Sequence, residues 1–374
     1  MTQPNRTGRH SAPVRSTSAR GTAAAQVVDD AAPTTEWEDA DYVADTKRSF
    51  FSRLYTGTGA FDIIGKRKRW YIVSGVIMLI CVLSMIFRGF TFGIDFEGGT
   101  EISLPNAAPL TTHSVEQVVG DALGSPPESV QIAGSGDTAS IQVRTEHLDQ
   151  SQTNKVTEAL VDKFGPTIKA ADVSSSDVSS TWGHEITKRM AIALVVFLII
   201  IFVYIAIRFD REMSIAAMAS LIFDVVVTAG VYSLVGWEVT PAMVIGLLTI
   251  LGFSVYDTVV VFDKVQENTR SVFATSRRTY AEQANLAVNQ TLMRSINTTI
   301  ISVLPIIALM VIAVWMLGVG TLKDLALIQL VGVVVGTYSS IFLATPLLVT
   351  LKERRKDVAA HTRKVLGRRE RSAA

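Results

Sequence analysis

The chain has 374 residues, of which 48% are hydrophobic and 18% charged, and its formal net charge is +1. A soluble domain carries about a quarter charged residues, so this balance points to lipid, and it gives no electrostatic case for a nucleic-acid partner. Cys81 is the single cysteine, which excludes an internal disulfide and a cysteine-based metal site, and the five histidines are scattered without metal-ligand spacing.

Residues 1–60 begin rich in Ser, Thr, Ala and Arg and then turn acidic. With almost no aliphatic clusters and no apolar signal-peptide core, they are expected to form a disordered cytoplasmic tail. A membrane span needs about 20 apolar residues to cross roughly 30 Å of hydrocarbon. Residues 61–89 hold the first candidate, an apolar run at 70–87 directly after Lys66, Arg67, Lys68 and Arg69. A five-helix bundle is expected over residues 188–351. Its second span covers 190–207, and its third, 213–235, is interrupted by small residues and Asp224. Pro241 opens the fourth, which ends near Phe262; the fifth runs over 292–317 and the sixth over 322–351.

Loop charge sets the topology. Lys66 to Arg69, then Arg208 and Arg211, then Lys264, Arg270, Arg277 and Arg278, and finally the basic tail at 352–374 all fall on one side. The positive-inside rule makes that side cytoplasmic, together with both termini. Lys188 and Arg189 run against the rule and read as snorkelling side chains. A polar segment at 264–290 is expected along the cytoplasmic membrane surface, with a capping-box pattern at Thr279 and Glu282.

This topology leaves residues 90–187 outside. Strands are predicted at 100–104, 129–133, 139–145 and 168–173, with helices at 112–123 and 152–164 and a Gly-Ser-Gly-Asp turn at 134–137. The order strand-helix-strand-strand-helix-strand is the ferredoxin-like pattern, and residues 174–180 read as a polar linker back to the membrane. No catalytic constellation is visible, so the domain reads as a binding or docking module and the chain as a non-enzyme.

An ionisable side chain within a span costs several kcal/mol unless paired or hydrated. Asp257 lies about 10 Å below the cytoplasmic edge of its helix at 1.5 Å per residue, and Arg294 lies at about the same depth on the next. Ser254 and Phe253 share the Asp257 face, Gly246 and Gly252 permit close approach, and Asn297 and Thr298 extend a polar stripe from Arg294. A carboxylate beside a cation whose position can change is able to exchange protons, so the pair reads either as a proton relay or as a static ion pair. Asp224, nearer mid-membrane, fits a structural hydrogen bond as well as a proton role. Pro305 reads as a kink.

Several stretches together resemble the SecD/SecF family of bacterial protein-export membrane proteins, and within it the SecF type. They are GIDFEGG at 93–99, YIAIRF at 204–209, LIFDV at 221–225, LGFSVYDTV at 251–259, FDKVQEN at 262–268 and NQTLMRSINTT at 289–299. The resemblance covers residues 60–350 and leaves out both tails. It departs at residues 180–183, STWG, where the family usually has Gly-Pro. It implies a cell-membrane subunit of the resistance-nodulation-division superfamily with SecD as partner, assisting the SecYEG channel and SecA motor on a translocating preprotein. Protons would be the coupling ion, with no other cofactor and no metal, and Asp257 and Arg294 would match the family positions for proton flow. Gly93, Asp95, Gly98 and Gly99 would form a pivot between span and external domain. A self-contained exporter of small molecules or lipids, or a non-conducting scaffold of the translocon, are the alternatives.

Overall fold

The computed structural model describes residues 61–133, 139–165, 167–312 and 320–373. The expected tail at 1–60, the turn at 134–137 and the end of the fifth predicted span lie outside the described residues. Among the described residues, six helices are long and apolar enough to cross a membrane. They comprise α1 (Arg67–Phe87), then α5 (Ser180–Arg208), α6 (Arg211–Val235), α7 (Pro241–Thr269) and α8 (Tyr280–Leu309) after the external domain. The sixth is formed by α9 (Gly320–Ser339), a π-helical turn Ser340–Ala344, and α10 (Thr345–Glu353). Large parts of α6, α7 and the sixth span are buried, whereas α1, α5 and α8 present rows such as Ile72, Ile199 and Ile301 outward. A span whose apolar side chains point outward matches hydrocarbon, while the inward faces carry the small and polar residues. Gly246, Gly332 and Gly336 bring α7 and α9 close, with Ile328, Ile250 and Ser254 occupying the space a side chain would need. Gly252, by contrast, faces open space.

One expectation about the spans is corrected, and two flanking segments gain detail. The second span begins not at 190 but ten residues earlier, because Ser179 caps the backbone N–H of Trp182 and the helix runs unbroken through His184, Lys188 and Arg189. The polar segment at 264–290 is not a separate surface helix. Its two ends extend α7 and α8, and the Thr279–Glu282 capping box starts α8 directly. The basic tail is an ordered helix, α11 (Lys356–Ala373). It buries Val358 and Val365 and reaches the α7–α8 turn through His361 to the Thr275 carbonyl and Arg369 to Glu282. Before the first span, Asn285 and Asn289 of α8 bind the backbone of Phe61, Ile63 and Ile64. Pro305 lies inside α8, which continues to Leu309.

The external domain is a four-stranded antiparallel sheet in the order β3-β4-β2-β5, formed by β2 (Gly99–Pro105), β3 (Ser129–Ala133), β4 (Ser140–Thr145) and β5 (Ser174–Val178). Helices α3 (Thr112–Leu123) and α4 (Gln150–Phe164) complete the ferredoxin-like order. Alternate residues Ile102 and Leu104, and Ile141 and Val143, face Val115, Val119, Val156 and Leu160 in one core. The last strand is not 168–173 but the Ser-rich stretch read as a linker. Its side chains are exposed at the sheet edge, so backbone pairing with β2 defines it and no apolar alternation marks it.

Between α1 and β2 the chain forms a short strand β1 (Thr91–Phe92) and one helical turn α2 (Ile94–Glu97). Strand β1 pairs in parallel with β6 (Glu238–Val239), which lies between α6 and α7. Gly99 has φ 124°, and a Cβ there would sit 2.6 Å from the Thr145 carbonyl oxygen. Gly99→Ala must therefore strain the backbone and push β2 from β4, at a cost of about 1–3 kcal/mol. Thermal unfolding of the purified chain should register that loss, and unchanged stability would refute the close approach.

Candidate functional site

The middle of the bundle carries a seam of polar side chains that hydrocarbon would not tolerate on the outside. On α6, Ser220, Asp224 and Thr228 follow one another at four-residue spacing, so they share one face, and all three are buried. On α7, Ser254, Asp257 and Thr258 are buried on the face turned toward the other helices. The Ser254 hydroxyl donates to Asp224 Oδ2. One turn further along α7, Asp257 Oδ1 accepts a 2.7 Å hydrogen bond from Ser295 of α8. Ser254 thus ties Asp224 to the helix that carries Asp257, and the two carboxyls belong to one connected cluster across three helices.

Each carboxyl has one engaged oxygen and one buried oxygen without a hydrogen-bond partner among the described residues, Asp224 Oδ1 and Asp257 Oδ2. Ser339 and Ser340 lie beside Asp224 and Asp257, respectively. Their hydroxyls donate instead to the Gly336 carbonyl at 3.1 and 2.8 Å. Ser340 also meets Thr258 at 2.9 Å. These serines sit where α9 gives way to the π-helical turn, a local irregularity that often accompanies function.

Asp257 and Arg294, matched in depth by the sequence, form no ion pair among the described residues; Ser295 is the hydrogen-bond partner of Asp257. Successive helical residues differ by about 100°, so turning Ser295 inward turns Arg294 to the bundle surface. There its guanidinium donates to the Tyr256 hydroxyl at 3.2 Å, and Tyr256 is itself exposed. Asn297 is exposed and Thr298 half-buried beside Arg294.

Asp324, which sequence reading missed, is a third carboxyl, at the outer end of α9. Its Oδ2 accepts a 3.0 Å hydrogen bond from Thr240, the residue capping α7, and its carbonyl accepts from Tyr232. Thr240 precedes Ser254 by fourteen residues, roughly 21 Å of helix at 1.5 Å per residue. Buried Met243, Leu247, Ile250 and Leu251 fill that interval, so the outer carboxyl is separated from the inner pair by an apolar layer. The signal for Asp324 was its place within a hydrophobic run. Asp263 and Glu267 at the rim pair with Arg208 and Lys264 and are partly solvated.

Between the first span and the α/β domain, Gly93 donates its N–H to the Val239 carbonyl at 2.8 Å, and Gly98 and Gly99 both adopt positive φ as the chain enters β2. Asp95 lies on the short helix α2 between them, half-buried. Gly183 of α5 sits against the Phe96 backbone, which leaves no room there for a side chain. Among the described residues no group of His, Cys, Asp and Glu is placed to hold a metal ion.

Two family models match the chain. Residues 156–354 match "Protein export membrane protein SecD/SecF, C-terminal", and residues 83–105 match "SecD/SecF GG Motif". The protein translocase subunit SecF of Mycobacterium tuberculosis is 59% identical over 343 residues, covering 88% of this chain and 77% of that one. SecF of Streptomyces coelicolor is 39% identical, covering 86% and 85%. Among solved structures, SecDF from Thermus thermophilus, a translocon-associated membrane protein, superimposes with a TM-score of 0.68 at 30% identity. That match takes in 79% of this chain but only 39% of the other.

Proposed function

The chain belongs to the SecD/SecF family of protein export membrane proteins, and from that premise we propose that it is the SecF-type half of a proton-driven accessory complex for preprotein export. SecD is the other half. Relatives in which one chain carries the name SecDF are more than twice the length this chain covers, which supports such a pairing. The complex assists the SecYEG channel and SecA motor, and it draws preprotein outward. Both termini and the α7–α8 turn face the cytoplasm, and the ferredoxin-like domain faces out, in keeping with the placement of basic residues.

The observation that carries the reading is the pair of buried carboxyls, Asp224 and Asp257. Serines on neighbouring helices hold each by one oxygen and leave the other free. A group so placed exchanges protons only when helices shift to admit water or a partner side chain, which links proton passage to helix movement. Arg294 contributes from the bundle surface. A guanidinium facing hydrocarbon costs about 2.5–3.5 kcal/mol or more, so a carboxylate of the partner subunit is its fitting cover.

Reconstitution of the chain with its SecD-type partner, the channel and the motor tests this reading. Export should accelerate when a proton gradient, acid outside, is imposed, and an ionophore that collapses the gradient should remove the acceleration. Acceleration that survives the ionophore would establish the scaffold reading.

A further inference from the structure

The external domain is fastened to the membrane bundle through one buried arginine. Arg144 is on β4, yet its side chain is only 4% exposed. One guanidinium nitrogen, Nη1, lies 3.1 Å from Glu238 Oε1 on β6, between α6 and α7. The other, Nη2, donates to the Phe92 carbonyl on β1 at 2.8 Å. Arg144 therefore grips both strands of the small β1–β6 pair, which joins the first span to the outer α6–α7 connection. Gln131 of β3 adds a hydrogen bond to the same Glu238 carboxylate. The Nε of Arg144 is buried without a partner.

Two further carboxyls converge on this arginine. Glu101 stands directly opposite Arg144 in the β2–β4 register, so their side chains project from the same face of the sheet. Asp95 comes from α2, where it senses the charges of both Arg144 and Glu238. Behind Glu238, Asp324 of α9 is held by Thr240 and senses Glu238 and Asp95, with Lys323 as its nearest counter-charge. Arg88, which also reaches the α6–α7 connection, donates to the Leu234 carbonyl at 2.8 Å and is engaged there. Three carboxyls, Asp95, Glu101 and Glu238, thus share one guanidinium in a poorly solvated joint. Glu238 neutralises Arg144, which leaves Asp95 and Glu101 in excess.

We propose that this joint is a proton-binding site on the outer face. It holds the external domain on the bundle when Asp95 and Glu101 are protonated and loosens when they ionise. Surplus negative charge in such a place is relieved either by taking up protons or by opening to water. Burial pushes the Asp95 carboxyl up, with Arg144 opposing; burial also pushes Glu101 up, with the neighbouring Glu238 charge adding to it. The sign follows by linkage. Groups that hold protons more firmly in the docked state stabilise docking below their ordinary values, and that stabilisation is lost as pH rises through the raised ones. Acid therefore favours docking. The outer face of a respiring membrane is the acid side, so the external domain would register the proton supply before any proton reaches Asp224 and Asp257. The inference stands whether or not the bundle conducts protons.

The full chain in lipid nanodiscs, spin-labelled at H113C on the external domain and V235C at the outer end of α6 in a C81A background, reads the joint as a distance. Both label sites are exposed. The wild-type joint should give a narrow distribution at about pH 4, near the ordinary carboxylate range, and a broader, longer one at about pH 7.5, where both carboxyls are ionised. The variant carrying Asp95→Asn with Glu101→Gln cannot ionise at either site and should stay narrow at both pH values. Arg144→Gln should be broad at both, and Asp324→Asn should keep the wild-type response. A wild-type distribution that does not change with pH overturns the proposal. So does a pH response that persists in the doubly neutral variant, or one that vanishes in Asp324→Asn, which would move the sensor into the bundle.

Discussion

Replacing Asp257 with Asn should abolish the gradient-dependent part of preprotein export while leaving the fold intact. The asparagine oxygen can still accept from Ser295, so the contact that positions the side chain at 2.7 Å survives. What disappears is ionisation. Loss of a positioned proton-transfer group costs roughly a hundredfold or more in rate, so the acceleration by a proton gradient should fall to background. Export driven by nucleotide alone should be unchanged. Ser295→Ala supplies the contrast. It leaves both Asp257 oxygens buried and unpaired, which costs about 1–3 kcal/mol of stability, yet keeps the ionisable group. It should lower thermal stability and retain a gradient response. If Asp257→Asn keeps normal gradient dependence, the pair of carboxyls is structural and the chain acts as a scaffold.

The contrast between these variants rests on a distinction that sequence spacing could not make. Helical rise gives the distance of Asp257 and Arg294 from their span ends, because 1.5 Å per residue accumulates predictably. Rotation about the helix axis depends on which face packs, and all faces of a membrane helix are apolar enough to leave that open. Tyr256, Asp257 and Thr258 are adjacent in sequence, yet only the last two are buried. The π-helical turn at Ser340–Ala344 left no sequence sign, although it sets Ser340 against Thr258. In the external domain, periodicity located both helices and three strands, because Ile102, Leu104, Ile141 and Val143 alternate toward a core. The fourth strand, Ser174–Val178, was missed for the complementary reason, since an edge strand with outward side chains is held by backbone bonds that composition does not encode. Helix α11 was read as a tail because its basic residues outnumber Val358 and Val365, the two aliphatic side chains that dock it.

The arrangement of carboxyls also bears on how protons could move. Asp324 lies at the outer end and the Asp224–Asp257 cluster deeper, and buried aliphatic side chains of α7 separate them. A continuous file of polar groups would short-circuit the gradient, whereas an interrupted one passes protons only when the bundle changes shape. At Gly246, Gly332 and Gly336, α7 and α9 pack too closely to admit a further side chain. Movement of that pair would wet the apolar interval and shift the Ser254 bridge in the same step, which is how proton passage and mechanical displacement would become one event.

Arg294 provides the second large expected effect, and its signature differs from that of a buried residue. Its guanidinium is exposed on the bundle surface and bonded only to Tyr256 among the described residues. Arg294→Gln should therefore cost the isolated chain no thermal stability, because it removes a charge that otherwise faces hydrocarbon. In the reconstituted complex the same substitution should remove gradient-driven export as completely as Asp257→Asn, because the cation that answers the partner's carboxylate is gone. Arg294→Lys keeps the charge but not the planar fork, and should retain only part of the response. Tyr256→Phe removes the hydroxyl that holds the guanidinium and should weaken the response mildly. Two measurements on one preparation decide the matter: melting of the chain alone, and export by the complex with and without a gradient. If Arg294→Gln destabilises the isolated chain by several kcal/mol, the arginine is a packing element of this bundle. If it leaves both readouts unchanged, the α7–α8 surface is not where the partner engages.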